Sequence, residues 1–211
     1  MKPPFEELDP LKIVLPAKLE SERLLLRCYE LSDAAMYAAM VDQNRERLQD
    51  DFPNRRDVIR NEQDAESFIW QIIQMWEMRR AFHFCVLEKQ SHSYVGEVFF
   101  ADIVWRVPKA DIGYFVVREW EGKGMATEAL KTLLPFAFET LEMRKLQVRC
   151  VVDNLRSQQV AERCGFKIEG VLRNEFVKAD GQTLVNLVYY GMTPSDYRAI
   201  SMKPPTSGGF N

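Results

Sequence analysis

Histidine and cysteine are scarce. The 211 residues hold two histidines, His83 and His92, and four cysteines, Cys28, Cys85, Cys150 and Cys164. None of these lies in a CxxC or HExxH spacing, so no metal site is expected and the cysteines read as reduced, mostly core thiols. Long apolar runs are missing too. Nothing uncharged reaches the roughly 20 residues of a membrane span, and Met1 to Glu7 lack the apolar stretch of a secretory signal. The expectation is a cytoplasmic protein without a membrane role. Positive charge is not in excess: the net charge is −3 and the pI near 5.6, which argues against nucleic acid as a partner. Three catalytic signatures are also absent. No Gly-x4-Gly-Lys-Ser/Thr occurs, no third glycine follows Gly124 to complete a dinucleotide fingerprint, and no Gly-x-Ser-x-Gly is present.

What is present has the balance of a globular domain, with 46% hydrophobic and 28% charged residues. Residues 1–20 hold four of the ten prolines and read as an N-terminal arm. Residues 199–211 read as a flexible tail. Between them, residues 21–198 show no linker, composition shift or repeat, and read as one domain.

Strand signals fall at Glu22–Arg27, Phe82–Glu88, Tyr94–Phe100, Asp111–Val117, Leu146–Val152, Phe166–Phe176 and Thr183–Met192. Helix signals follow Ser32-Asp33, run from Asp64 to Arg80, and recur after Gly124 and from Ser157 to Cys164. Asn44 to Pro53 reads as polar and then loop. The expected architecture is a mixed α/β fold: a mostly antiparallel twisted sheet of about seven strands with helices on both faces.

The chain is organised around Asp111 to Glu128. Asp111-Ile112-Gly113-Tyr114-Phe115-Val116-Val117 reads as a buried strand. Glu121-Gly122-Lys123-Gly124 is a small-residue turn. Apolar residues at 126, 129, 130, 133, 134, 137, 138 and 141 then mark one helix face. Strand, glycine turn and helix N-terminus together form an anion cradle, with free N–H groups and a positive dipole end. Pro135 lies inside that helix, where it removes a hydrogen bond or bends the axis. A second unit, Val151 to Phe166, repeats strand, polar turn and helix, and sets both helix N-termini at one end of the sheet. Asn154 and Ser157 stand where they either cap this helix or point into the cleft.

Together these stretches resemble the Gcn5-related N-acetyltransferase (GNAT) superfamily, over roughly residues 23–193. Within it, three features resemble the RimJ/RimL-like branch, which acetylates ribosomal-protein N-termini. They are Asp111-Ile112-Gly113-Tyr114 leading into Gly122-Lys123-Gly124-Met125-Ala126-Thr127-Glu128, Asp153-Asn154-x-x-Ser157 with Gly165-Phe166, and Asn44-Arg45-Glu46-Arg47-Leu48. The resemblance implies acetyl-CoA as cofactor, held by Phe115, Val116, Val117, Glu121, Gly122, Lys123, Gly124, Met125, Ala126, Thr127, Asn154 and Ser157. It also implies an amine substrate, either a protein N-terminus or a small molecule. Ser157 matches the branch's proposed proton donor and Glu175 its proposed general base, with Glu97 as a second candidate base.

Two positions depart from the pattern. Glu121 replaces a Gln or Arg and is expected to turn away from the phosphates. Ala161 stands where many members carry a tyrosine general acid. A neutral amine is needed for attack, so a base matters more for a lysine (pKa about 10.4) than for an α-amine (about 7.7–8.0). The N–H of Val116 is expected to polarise the acyl carbonyl if its strand bulges there. Asn44–Pro53 and Val104–Ala110 are expected to shape the acceptor side, and the late edge strands offer a surface for a homodimer. A rival reading is an acyl-CoA-binding sensor without turnover.

Overall fold

The computed structural model describes residues 9–202. Eight strands form one sheet: β1 (Lys18–Glu20), β2 (Leu24–Cys28), β3 (Phe82–Glu88), β4 (Tyr94–Val104), β5 (Lys109–Val116), β6 (Lys145–Val151), β7 (Lys167–Val177) and β8 (Leu184–Met192). Their order is β1-β2-β3-β4-β5-β6-β8-β7. Every neighbouring pair is antiparallel except β5 and β6. The strand beyond the expected seven is β1, a three-residue element inside the segment read as an arm. The first eight residues of that arm and residues 203–211 of the tail lie outside the described residues.

Seven helices accompany the sheet: α1 (Ala34–Gln43), α2 (Arg45–Asp51), α3 (Pro53–Val58), α4 (Glu62–Glu77), α5 (Met125–Pro135), α6 (Leu155–Arg163) and α7 (Pro194–Ser201). α7 crosses the boundary expected at residue 198. Two apolar cores, one on each face, hold the layers together. On one face Tyr37, Val41, Ile69 and Ile72 of α1 and α4 pack with Phe115 and Val117. On the other, Ala129, Leu130, Leu133 and Leu134 of α5 and Ala161 of α6 pack with Ile112, Leu146 and Val148. The alternation along β5, with Ile112 and Phe115 on opposite faces, follows from the two-residue period of a strand.

α2 and α3 replace the expected loop after Asn44. They run seven and six residues, too short to show an apolar period, and Pro53 opens α3 at a position where its missing N–H costs nothing. Pro135 has a structural account as well. It closes α5, and the chain continues as one π-type turn over Phe136–Thr140, with Leu141 N–H donating to Phe136 O at 2.9 Å. The missing N–H thus falls at the last residue of α5, where the regular winding already ends. At the end of α6, Phe166 N–H reaches Ala161 O and Gly165 N–H reaches Glu162 O, with Gly165 at φ +90°. This is the glycine stop expected there.

Candidate active site

β5 and β6 make a fork. They pair only at Lys109↔Lys145, Ala110↔Leu146 and Asp111↔Gln147; beyond Asp111 they diverge. The opening widens into a cleft of about 1050 Å³, lined by β5, the glycine turn, the start of α5 and α6. That volume suits an extended ligand larger than most pocket occupants. Val117 N–H donates to Val95 O of β4, so by the alternation of an antiparallel ladder the N–H and C=O of Val116 point the other way, into the fork.

The glycine turn supplies the polar end of the cleft. Gly122 and Gly124 sit at φ +71° and +79°, the left-handed region that side chains with a Cβ disfavour. Among the described residues, no N–H from Gly122 to Thr127 donates a backbone hydrogen bond of ordinary length and angle. Six amides at the start of an eleven-residue helix are thus left for a ligand. The turn is braced from behind by the β1–β2 hairpin. Glu128 accepts from Ser21 Oγ at 2.7 Å, Arg23 N at 2.9 Å and Arg23 Nε at 2.7 Å, while Arg23 Nη1 donates to Lys123 O at 3.1 Å. Burial pushes the Glu128 carboxyl upward, but the bonds from Ser21 and Arg23 outweigh it and hold it below its ordinary value.

The sequence-derived residues divide into two groups. Phe115, Val116, Gly122, Gly124, Met125, Ala126, Thr127, Asn154, Ser157 and Glu175 all line the cleft. Val117 and Lys123 do not. Val117 belongs to the opposite core, and the Lys123 ammonium lies 4.7 Å from the centre of the Trp120 ring. Asn154 takes the capping role, its Oδ1 accepting from Ser157 N at 3.1 Å. Ser157 Oγ lies 3.0 Å from Tyr114 Oη. Glu175 is exposed and accepts from Tyr189 Oη at 3.1 Å. It stands in a bulge where four steps of β7, Leu172 to Phe176, oppose two of β8, with Asn174 at φ +54°. Such a bulge turns side chains out of the regular alternation, and this one aims Glu175 at the cleft.

Four expectations are corrected. Glu97 does not face the cleft: it is 2% exposed and forms a buried ion pair with Arg55 of α3, with His83 Nδ1 at 3.9 Å. A carboxylate so held has its charge committed to Arg55 and no path to an incoming amine. Burial and the neighbouring Arg55 push His83 down to about 3, so its imidazole is neutral. Glu121 does not turn outward. It lines the cleft and is neutralised by Arg47 of α2 and by Arg156 of α6, the latter at 3.1 Å. The bulge expected in β5 at Val116 lies instead in β4, where Leu87 pairs with Tyr94 and Val86 with Gly96, leaving Val95 over. Finally, Val104–Ala110 closes the far end of the fork, where Arg144 N–H donates to Pro108 O at 2.6 Å.

Three further residues line the cleft: Arg47 and Phe52, which fall within the Asn44–Pro53 stretch expected to shape one side of it, and Phe99, which no local signal marks. Arg47 donates to Val116 O at 3.2 Å and lies 5.0 Å from the centre of the Phe115 ring. Phe52 and Phe99 line the cleft, with Arg55 stacked 4.5 and 4.8 Å from their centres. Gly113 is what admits Phe99, since a Cβ there would stand 2.1 Å from its ring. Gly96 likewise lets β4 approach β5, because a Cβ would meet Phe115 O at 2.0 Å. Ala161 is fully buried among the core residues around α5, and its methyl group does not line the cleft.

The comparisons with known proteins agree with this geometry. Residues 23–167 match the acetyltransferase (GNAT) domain family. The chain belongs to the GNAT acetyltransferases. The Bacillus subtilis protein YdaF is 30% identical over 180 residues, covering 84% of this chain and 94% of its own. The ribosomal-protein-serine acetyltransferase of Escherichia coli is 28% identical over 129 residues, 61% of this chain and 71% of its own. Among solved structures, the microcin C7 self-immunity acetyltransferase MccE, in complex with acetyl-CoA and AMP, superposes with a TM-score of 0.76. It is 24% identical, covering 86% of this chain and 98% of that one. The free amides of the glycine turn and the unzipped edge of β5 give this GNAT domain a row of donors at a helix N-terminus beside an open strand edge.

Proposed function

We propose that this GNAT enzyme acetylates the α-amine of a protein N-terminus. The observation that carries it is the row of unpaired amides from Gly122 to Thr127 beside the open edge of β5; the E. coli relative supports the choice of acceptor. Acetyl-CoA supplies the activated acyl group, whose C–S bond breaks as the amine nitrogen bonds to the carbonyl carbon. The amides at 122–127 hold the diphosphate. Val116 N–H faces the acyl oxygen. Glu175, exposed at the cleft, takes the proton that the amine loses. Ser157 O–H gives a hydrogen bond to the departing sulfur, which collects its proton from solvent. Arg47, Phe52 and Phe99 form the acceptor wall. Residues 21–198 act as one unit in the cytoplasm, and the exposed Ile168, Val171 and Leu172 on edge strand β7 support a homodimer.

The deciding experiment follows thiol release from acetyl-CoA with a panel of peptide N-termini beside a panel of small amines. Turnover confined to peptides supports the proposal; turnover confined to polyamines or amino acids overturns the acceptor. E175Q should retain acetyl-CoA binding and flatten the rise of rate with pH. A pH profile for E175Q that matches the wild type overturns Glu175 as the base.

A further inference from the structure

Tyr114 joins the two arms of the fork. It lies on β5, while Ser157 opens α6 43 positions later. Tyr114 Oη lies 2.8 Å from Ser157 O and 3.0 Å from Ser157 Oγ. The phenol has one hydrogen for these two neighbours, and a carbonyl can only accept. When that hydrogen goes to Ser157 O, the contact between hydroxyls is made by Ser157 O–H donating to the phenol oxygen. The serine hydrogen is then turned away from the cleft. When the phenol O–H rotates to Ser157 Oγ, the serine hydrogen is released toward the cleft. Both arrangements fall within the distances observed, so only one rotation separates them.

We propose that Tyr114 is a positioning residue for Ser157, pinning its hydroxyl at the cleft wall and setting which way its hydrogen points. No bond is made or broken and no proton changes owner; only the direction of one hydrogen bond reverses. Burial raises the Tyr114 phenol above its ordinary value, which keeps that hydrogen in place. Asn154 holds the main chain of Ser157 through its N–H, so Tyr114 is what restrains the side chain. The inference rests on the sulfur-facing role proposed for Ser157.

The test is a double-mutant cycle of wild type, Y114F, S157A and Y114F/S157A. It combines steady-state thiol release with calorimetric titration of acetyl-CoA and thermal midpoints. Y114F should lower kcat about tenfold while KM and Kd for acetyl-CoA stay within about twofold. In the S157A background the same change should cost less than about twofold, because the residue it acts through is gone. Equal losses in both backgrounds, or a wild-type kcat for Y114F with S157A slow, overturn the inference while leaving the serine's role intact. A wild-type kcat for S157A removes the serine's role and the inference together. The calorimetric Kd separates both from a variant that has lost the cleft's shape.

Discussion

The two sides of the cleft are built by different means. The glycine-turn side, Gly122 to Thr127, offers main-chain N–H groups whose direction is set by two left-handed glycines and a helix axis. Its side chains are largely incidental to recognition; Lys123 lies along Trp120. The opposite side is made by side chains from segments far apart in sequence: Phe52 and Arg55 from the α2–α3 region, Phe99 and Glu97 from β4, and His83 from β3. It stands on a buried ion pair, and it fails if one member is removed. A backbone site tolerates exchange of side chains but not of backbone conformation. A side-chain site has the opposite sensitivities.

The contrast can be broken most forcefully at Glu97. Glu97→Ala leaves Arg55 charged and buried without its partner, and should cost about 3–5 kcal/mol, read as a lower midpoint in urea unfolding. The loss should appear first as altered acceptor KM, since Phe52 and Phe99 rest on Arg55. Gly124→Val comes next. A β-branched residue forced to a positive φ costs roughly 1–2 kcal/mol and rotates the amides that follow. Affinity for CoA, measured calorimetrically, should fall about tenfold or more with the acceptor wall unchanged.

Acid acts on the acceptor side. His83 is held at about 3 when folded, against 6.5 for the ordinary side chain. The unfolded chain therefore binds the proton more readily, and the stability this neutral imidazole permits is complete above pH 6.5 and erodes as pH falls from there toward 3. By pH 5 the erosion amounts to about 2 kcal/mol. H83Q should flatten that limb of a stability-against-pH curve, and an unchanged slope would place the titration elsewhere. The smallest effect is expected from Lys123→Ala, which removes a side chain but no amide. CoA affinity should change less than about threefold, because only a diffuse charge near the phosphates is lost.

The same division explains what could be read from residues alone. Gly122, Gly124 and the apolar period of α5 are local signals, and the helix–turn unit they describe is the one observed. The stop at Gly165 was equally legible. The wall around Phe52 was legible only as the stretch Asn44–Pro53, without the partners that hold it. Glu97 sits in an alternating strand, where a carboxylate reads as facing solvent or a cleft, and nothing local announces Arg55 as its partner 42 positions earlier. α2 and α3 are too short to carry a period. Beside phosphate alone a glutamate at 121 should turn away, and Arg47 and Arg156 converge on it only in the fold. Tyr114 lies within the strand motif, but its bond to Ser157 depends on how far β5 and β6 diverge.

Main-chain amides can be watched individually. In a ¹⁵N-labelled sample titrated with CoA, the N–H resonances of Gly122, Lys123, Gly124, Met125, Ala126 and Thr127 should move downfield as they gain phosphate acceptors. Pantetheine, which lacks the diphosphate, should leave them in place while still shifting Val116. Saturating CoA that leaves those six resonances unmoved, or pantetheine that moves them as far, would contradict a diphosphate site built from bare main chain.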